Sequence, residues 1–518
     1  VAAPAEYVTD VPYVRAFEPD LSPSRLRLVA ALNGFAPPPA DDFDYCELGS
    51  AHGDTTTTLA ASYPRARFVG VDINPDHIAS ANRLAARGDV GNVRFVLEDF
   101  EALGRRDLPT FDYVTAHGVL SWVSPEKRRA LIDFAAQKLA PGGLLHVSYN
   151  ALPGWAAVEP LRQLIAGRAA LAEGNSVARA REGVELAEHM RRLGAEYFRA
   201  NPSATAMLDR MQRLGLAYVA HEYLHAHWVP MYFAQLAAEM AAAGLHFVGQ
   251  LPLYLNYRDL AVPEALKALF SSAGGAMDRI AFESLKDFAL NEYFRRDVFM
   301  KAPRARSDGA TRAYLDTTPF GVRLEGGPLP TEARFPHHTL EFAGPVFAGL
   351  RPALGRGAAT VGDLARCADL DGFELPRVRD AVMKLAIAEA IIPMQHATSS
   401  ALAPPDALYR LPLLANAAAL REGLTCDAPI ALASTAAGTG LELSPVEALA
   451  LFVLTEVAAP LRASWLEERC ARTSFRMTVR GRSVEGRGEQ ARVLRGELDL
   501  FARERLPRLV EIGIVERA

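Results

Sequence analysis

Apolar residues in the first third of the chain fall into five short runs rich in β-branched side chains, separated by stretches of helical spacing. The first run, Tyr45 to Leu48, passes directly into a turn punctuated by Gly49 and Gly53. The second, R-F-V-G-V-D, ends at Asp72, and the third, N-V-R-F-V-L-E-D-F, at Asp99 and Phe100. F-D-Y-V-T-A-H-G ends at His117 and Gly118, and P-G-G-L-L-H-V-S-Y-N at Tyr149 and Asn150. Such runs alternating with helices predict a doubly wound parallel α/β sheet with its polar groups gathered at the strands' carboxyl ends.

Beyond the fifth run the pattern changes. Residues 156–220 lose strand alternation and read as helices inserted into the sheet domain. An apolar strand, L-H-F-V-G-Q-L, then follows a helix ending at Gly244 and is expected to join the sheet, closing a domain of residues 1–255. Residues 256–335 read as a middle region that contains a helix-to-strand unit ending R-R-D-V-F-M-K. Residues 336–518 read as mostly helical, with V-R-D-A-V-M-K-L leading to A-E-A-I-I-P and, near the end, L-P-R-L-V leading to E-I-G-I-V-E. Two winged-helix-like units are expected there. Ahead of the sheet, a proline-rich stretch holds a helix capped by Ser22 with Pro23 at its first position. Tyr7 and Tyr13 precede it in an arm that is either a lid or surface packing.

Composition narrows the function classes. The 518 residues are 50% hydrophobic and 23% charged with a net charge of -5, which gives no electrostatic footprint for nucleic acid. The winged-helix-like units therefore read as contact or scaffold modules rather than DNA readers. Cys46, Cys367, Cys426 and Cys470 lie far apart, which fits a reducing cytoplasm and excludes a CxxC zinc site. No run of eighteen apolar residues occurs, so no membrane insertion is expected.

The turn after the first strand decides between nucleotide ligands. It lacks G-x-G-x-x-G spacing, because Ala51 fills the middle position and no third glycine follows, which disfavours NAD. The acidic Glu47 before it suits a ligand with a positively charged amino-acid end. E-L-G-S-A-H-G resembles the first motif of class I S-adenosylmethionine methyltransferases. That resemblance implies S-adenosylmethionine as cofactor, held by Glu47, Gly49, Ser50, Ala51 and Gly53, with Asp72 at the ribose and Asp99 and Phe100 at adenine. Ile73, His117 and Gly118 complete the implied set. The chain departs from the family pattern at Ser50, often a cysteine or glycine, and at Asp54, where a small or apolar residue is commoner.

H-G-V-L-S-W-V, S-Y-N-A-L-P-G-W and H-E-Y-L narrow the likeness to methyltransferases with a methyltransferase regulatory domain. Bacterial lysine methyltransferases of outer-membrane proteins belong to that group. The resemblance covers residues 7 to about 255, thins to about 305 and fades beyond. It implies methyl transfer to a protein lysine amine, with a small-molecule acceptor as the alternative, and leaves a homodimer open. Candidate acceptor-site residues are His117, Tyr149, Asn150, His221 and Tyr223, with Trp122, Trp155 and Glu222 weighed between substrate contact and a structural role. His221-Glu222-Tyr223-Leu224-His225 also spells HExxH, so a zinc hydrolase with Glu239 as third ligand is a competing reading, as is an adaptor that binds cofactor without turnover.

Overall fold

The computed structural model describes all residues except 1–7, 9, 11–14, 271–277, 304–307, 326, 401, 427–428, 473–476, 480–481 and 485. Tyr7 and Tyr13, the expected arm, lie outside the described residues. The five apolar runs form β1 (Asp44–Leu48), β2 (Arg67–Asp72), β3 (Val93–Leu97), β4 (Phe111–Ala116) and β5 (Leu139–Asn150). With β6 (Leu245–Leu251) and β7 (Phe294–Lys301) they make a seven-stranded sheet of order β3-β2-β1-β4-β5-β7-β6. The first five strands are parallel, and β7 runs antiparallel to both its neighbours. The chain steps outward from β1 to β3 and then returns to β4 on the other side of β1. That reversal opens a crevice between β1 and β4 at their carboxyl ends, where α/β sheets bind ligands.

The expected boundary at residue 255 cuts through this sheet. The L-H-F-V-G-Q-L strand is β6 and lies at the sheet edge, while β7, from the presumed middle region, inserts between it and β5. Asp297 pairs with Val147 on one side and Gln250 on the other. R-R-D does not read as a central strand because its charges should stay in water. Arg295 and Asp297 are buried here because an ionic cluster receives them, while Arg296 is half-buried and pairs with Asp20 at 2.5 Å. Arg295 lies 2.9 Å from Asp297 and 3.1 Å from Glu283, and Lys286 lies 2.6 Å from Glu283. Asp287 joins through Arg295, and Arg279 closes the cluster 3.1 Å from Glu283, giving three cations for three carboxyls. The Arg295 guanidinium also sits 4.1 Å above the Phe233 ring.

Five helices between Glu159 and Tyr223 form the expected insertion, with a core of their own that includes Leu161, Ile165, Leu208, Trp155 and Tyr223. The last turn of the fifth, with Glu222, lies across a cleft from Gly49, His117 and Gly118 at the strands' carboxyl ends. The C-terminal region holds the helices Pro345–Gly355, Val361–Leu364 and Leu375–Ile387, then the strand Ile391–Pro393 paired antiparallel with Phe320–Val322. At the chain's end, helix Leu506–Glu511 leads to Glu516–Arg517, which pairs with Tyr409–Arg410. One hydrophobic core runs from Phe43, Tyr45 and Leu59 under the sheet into Leu350, Val382 and Leu385. The C-terminal region is therefore welded to the sheet rather than tethered to it.

Removing one member of a buried ion cluster leaves an uncompensated charge. Arg295→Met should therefore destabilise the protein by about 3–5 kcal/mol, read by chemical denaturation. A loss below about 1 kcal/mol would mean that the cluster does not hold β7 in the sheet.

Candidate functional site

The turn after β1 is shaped by three residues with positive φ: Gly49 at 83°, Ala51 at 45° and Gly53 at 75°. A Cβ at Gly49 would stand 2.7 Å from Val119 Cγ2, so this position is closed by the protein itself as well as by backbone conformation. The turn is fastened to β2. The Gly49 and Ser50 amides donate to the Val71 carbonyl at 2.8 and 2.9 Å, and the Ala51 amide donates to Asp72 Oδ2 at 2.9 Å. Asp72 Oδ1 accepts the Asn74 amide at 2.8 Å, with His77 Nδ1 at 3.3 Å. Oδ2 has a single hydrogen bond and so keeps lone-pair capacity, and Asp72 lines the cleft, as a ribose-binding carboxylate requires.

Two compartments meet above this turn. The first, of about 840 Å³, is lined by Asp72, Ile73, His77, Glu98, Asp99, Phe100 and Lys127. Ile73 and Phe100 offer apolar faces to an adenine ring. Asp99 caps the short helix Phe100–Leu103, accepting the Glu101 amide at 3.1 Å, and Lys127 Nζ lies 2.6 Å from its other oxygen. Lys127 and His77 escape sequence reasoning. Lys127 reads as an ordinary first-turn charge of helix Pro125–Lys138, yet it is buried against Asp99.

The second compartment, of about 1480 Å³, runs from Glu47 and Asp54 past His117 and Asn150 to an aromatic end. Trp155, Tyr218, Tyr223 and Tyr293 line that end, and Glu18 and Glu222 line the same compartment. Gly49, Ala51, His117, Gly118, Trp122 and Glu222 border both compartments. His117 is held by Ser148, whose Oγ lies 3.1 Å from Nδ1 and accepts the Gly118 amide at 2.8 Å. Its Nε2 faces Glu18 at 3.7 Å. Burial pulls the His117 imidazole down to about 4, so it is neutral at physiological pH.

Most of the expected site residues come together here, with two differences. Tyr149 does not face the cleft. Strand alternation turns Leu145, Val147 and Tyr149 to the apolar side of β5, where the fully buried Tyr149 hydroxyl donates to Asp297 at 2.6 Å. Asn150 and Ser148 take the cleft side instead. His221 lines the cofactor compartment rather than the aromatic end. The HExxH reading also fails on geometry. Helix Leu216–Tyr223 stops before His225, so the two histidines are not successive turns of one helix, and Glu239 is paired with Arg128 at 3.2 Å. Among the described residues, no group of three or more His, Cys, Asp or Glu is placed to hold a metal ion.

Glu47 tests whether the cofactor's charges fit. It is buried with Thr56 Oγ1 as hydrogen-bond donor, and the charged neighbours that act on it are the acids Glu18, Asp54 and Asp72. Burial foremost, then those acids, push its carboxyl up to about 7. A site of this kind gains from a cation, and the ammonium end of S-adenosylmethionine supplies one. The buried Ser50 hydroxyl has no hydrogen-bond partner among the described residues, a second group that a bound ligand would satisfy.

A model of the methyltransferase domain matches residues 46–145, and one described as a predicted methyltransferase regulatory domain matches residues 216–301. The chain is a class I S-adenosylmethionine-dependent methyltransferase. The regulatory match spans β6 and β7, so that segment completes the methyltransferase's own sheet. At 29% identity, 98% of this chain is similar to 99% of an uncharacterized protein from Synechocystis sp.. Over 20% of this chain and 36% of the relative, it is 34% identical to trans-aconitate 2-methyltransferase of Methylobacterium nodulans. The solved structure of PKMT2 from Rickettsia typhi in complex with AdoHcy matches 97% of this chain and 100% of its own, with a TM-score of 0.71 at 17% identity. The shared fold thus includes the C-terminal region. No described helix is long and apolar enough to cross a membrane.

The Glu47 carboxyl, protonated below about 7, must ionise to pair with the methyltransferase's cofactor. Affinity for S-adenosylhomocysteine, which carries the same ammonium, should therefore tighten about fivefold from pH 6 to pH 7 in calorimetry. Glu47→Gln should weaken binding at pH 7 by at least about fivefold and flatten most of that slope. Unchanged binding in the variant would remove Glu47 from the ammonium site.

Proposed function

We propose that this enzyme transfers the methyl group to the side-chain amine of a protein lysine. The observation that carries the reading is the pairing of acid and aromatic groups in the second compartment. Glu18 and Glu222 are both pushed up to about 7, chiefly by burial, and the rings of Trp155, Tyr218, Tyr223 and Tyr293 line the same compartment, Tyr218 and Tyr223 within electrostatic reach of Glu222. Carboxylates and ring faces both attract an alkylammonium. Arg210 already behaves as such a cation, lying 5.9 Å over the Tyr293 ring and donating to its hydroxyl at 2.9 Å.

Bound S-adenosylmethionine supplies an electrophilic methyl on a sulfonium. The protein's task is to align a neutral amine with that methyl. Glu222 borders both compartments, so its carboxylate can draw the incoming ammonium to their junction and accept its proton at a pH near 7. Trp122 fixes the residue in place by donating from Nε1 to the Glu222 carbonyl at 3.0 Å. Neutral His117 adds no repelling charge. An anionic acceptor, such as the one that names trans-aconitate 2-methyltransferase, would instead meet Glu18, Glu47 and Glu222. The similarity to that enzyme spans only 101 residues.

The test is incubation of cell lysate with methyl-labelled S-adenosylmethionine and the purified enzyme. Label should enter protein and be recovered as methyl-lysine, whereas label confined to small molecules would overturn the reading. On the protein acceptor so found, Glu222→Gln should slow transfer at least about tenfold, with S-adenosylhomocysteine affinity changed less than about threefold. Full transfer by that variant would take Glu222 out of the acceptor site.

A further inference from the structure

Asp54 stands beside Glu47, the residue that fits the cofactor's ammonium. It is the first residue of helix Asp54–Ser62 and lines the compartment beside Glu47 and Thr55. First-turn amides of a helix lack helical partners and attract an anion, so an acid at this point opposes the carboxylate of the cofactor's amino-acid end. Arg15 answers that charge. Its Nε lies 3.0 and 3.1 Å from the two Asp54 oxygens, and its Nη2 lies 2.8 Å from Oδ1. The same guanidinium donates through Nη1 to Glu422, in the C-terminal helix Leu414–Cys426. Arg87 Nη1 stands 3.5 Å from the second Glu422 oxygen, so the four charges cancel.

We propose that Arg15 is a positioning residue for the cofactor: it neutralises Asp54 toward the carboxylate of the amino-acid end, and Glu422 holds Arg15 in that place. The C-terminal region thereby sets the affinity of a site to which it contributes no direct contact. Two further links keep this face in register. Ser22 Oγ and Thr439 Oγ1 are 2.5 Å apart, and Ser62 Oγ donates to the Thr439 carbonyl at 3.1 Å. The first joins the segment ahead of the sheet, and the second the helix Asp54–Ser62, to the hairpin Ile430–Leu443.

Calorimetry on the full chain with two ligands separates this role from general support of the fold. S-adenosylhomocysteine carries the amino-acid end; 5′-methylthioadenosine keeps the adenosine and thioether but lacks it. Arg15→Gln should weaken S-adenosylhomocysteine at least about tenfold while leaving 5′-methylthioadenosine within about twofold. Adding Asp54→Asn to Arg15→Gln should restore S-adenosylhomocysteine to within about threefold of the parent, because the charge that needed screening is gone. Glu422→Gln keeps Arg15 and should show the same split at smaller size, which preserves the test if Arg15→Gln does not fold. Equal losses on both ligands, no loss on either, or no recovery in the double variant would overturn the proposal.

Discussion

One hydrogen bond organises the site: the Ala51 amide donating to Asp72 Oδ2 at 2.9 Å. It joins the turn after β1 to the end of β2, and both strands lie, with β3, on one side of the topological reversal. Asp72 therefore has two roles, bracing a turn with positive φ at Gly49, Ala51 and Gly53 and presenting its remaining lone pairs to the cleft. Because the brace is a carboxylate, a ribose bound at the same group would make the turn's geometry and the cofactor depend on one residue. Glu47, Ser50 and Asp54 flank or belong to that turn, and all three line the compartment that ends in Trp155 and Tyr223.

Charge is the second theme. Glu18, Glu47, Asp54, Asp72, Glu98, Asp99 and Glu222 border the two compartments, against Lys127 and Arg210 in the lining and Arg15 paired with Asp54. A surplus of buried carboxyls costs stability in the empty protein, and it favours ligands that bring positive charge. S-adenosylmethionine brings an ammonium and a sulfonium. A lysine acceptor would bring another cation and leave a proton behind, and carboxyls held near 7 are suited to both events.

The parts of this arrangement differed in how plainly the sequence showed them. β1 to β5 were legible because each is an apolar run ending in glycine or a polar ligand group, and the fold reading rests on those five endings. β7 was legible as a strand but not as an inner strand of this sheet, since R-R-D imitates a surface segment and the cluster of Glu283, Lys286, Asp287 and Arg279 is what lets Arg295 and Asp297 lie inside it. Tyr149 and Asn150 looked equivalent at one strand end, but a period of two places them on opposite faces. Glu18 and Arg15 lie in a strap more than thirty residues ahead of the turn they serve, and spacing rules built on neighbouring strands do not reach that far. His221, Glu222 and His225 misled in the other direction: the letters match a zincin, but the helix that would align them ends at Tyr223.

The central claim is that one acidic cleft holds the cofactor along β1 and β2 with its methyl directed into the aromatic compartment. A crystal structure with S-adenosylhomocysteine tests it most directly. The account predicts adenine between Ile73 and Phe100, the ribose hydroxyls on Asp72, the ammonium beside Glu47 and the sulfur facing the Glu222–Trp122 border. A ligand whose amino-acid end points away from Glu47, or whose sulfur is walled off from the compartment of Trp155 and Tyr223, would contradict it.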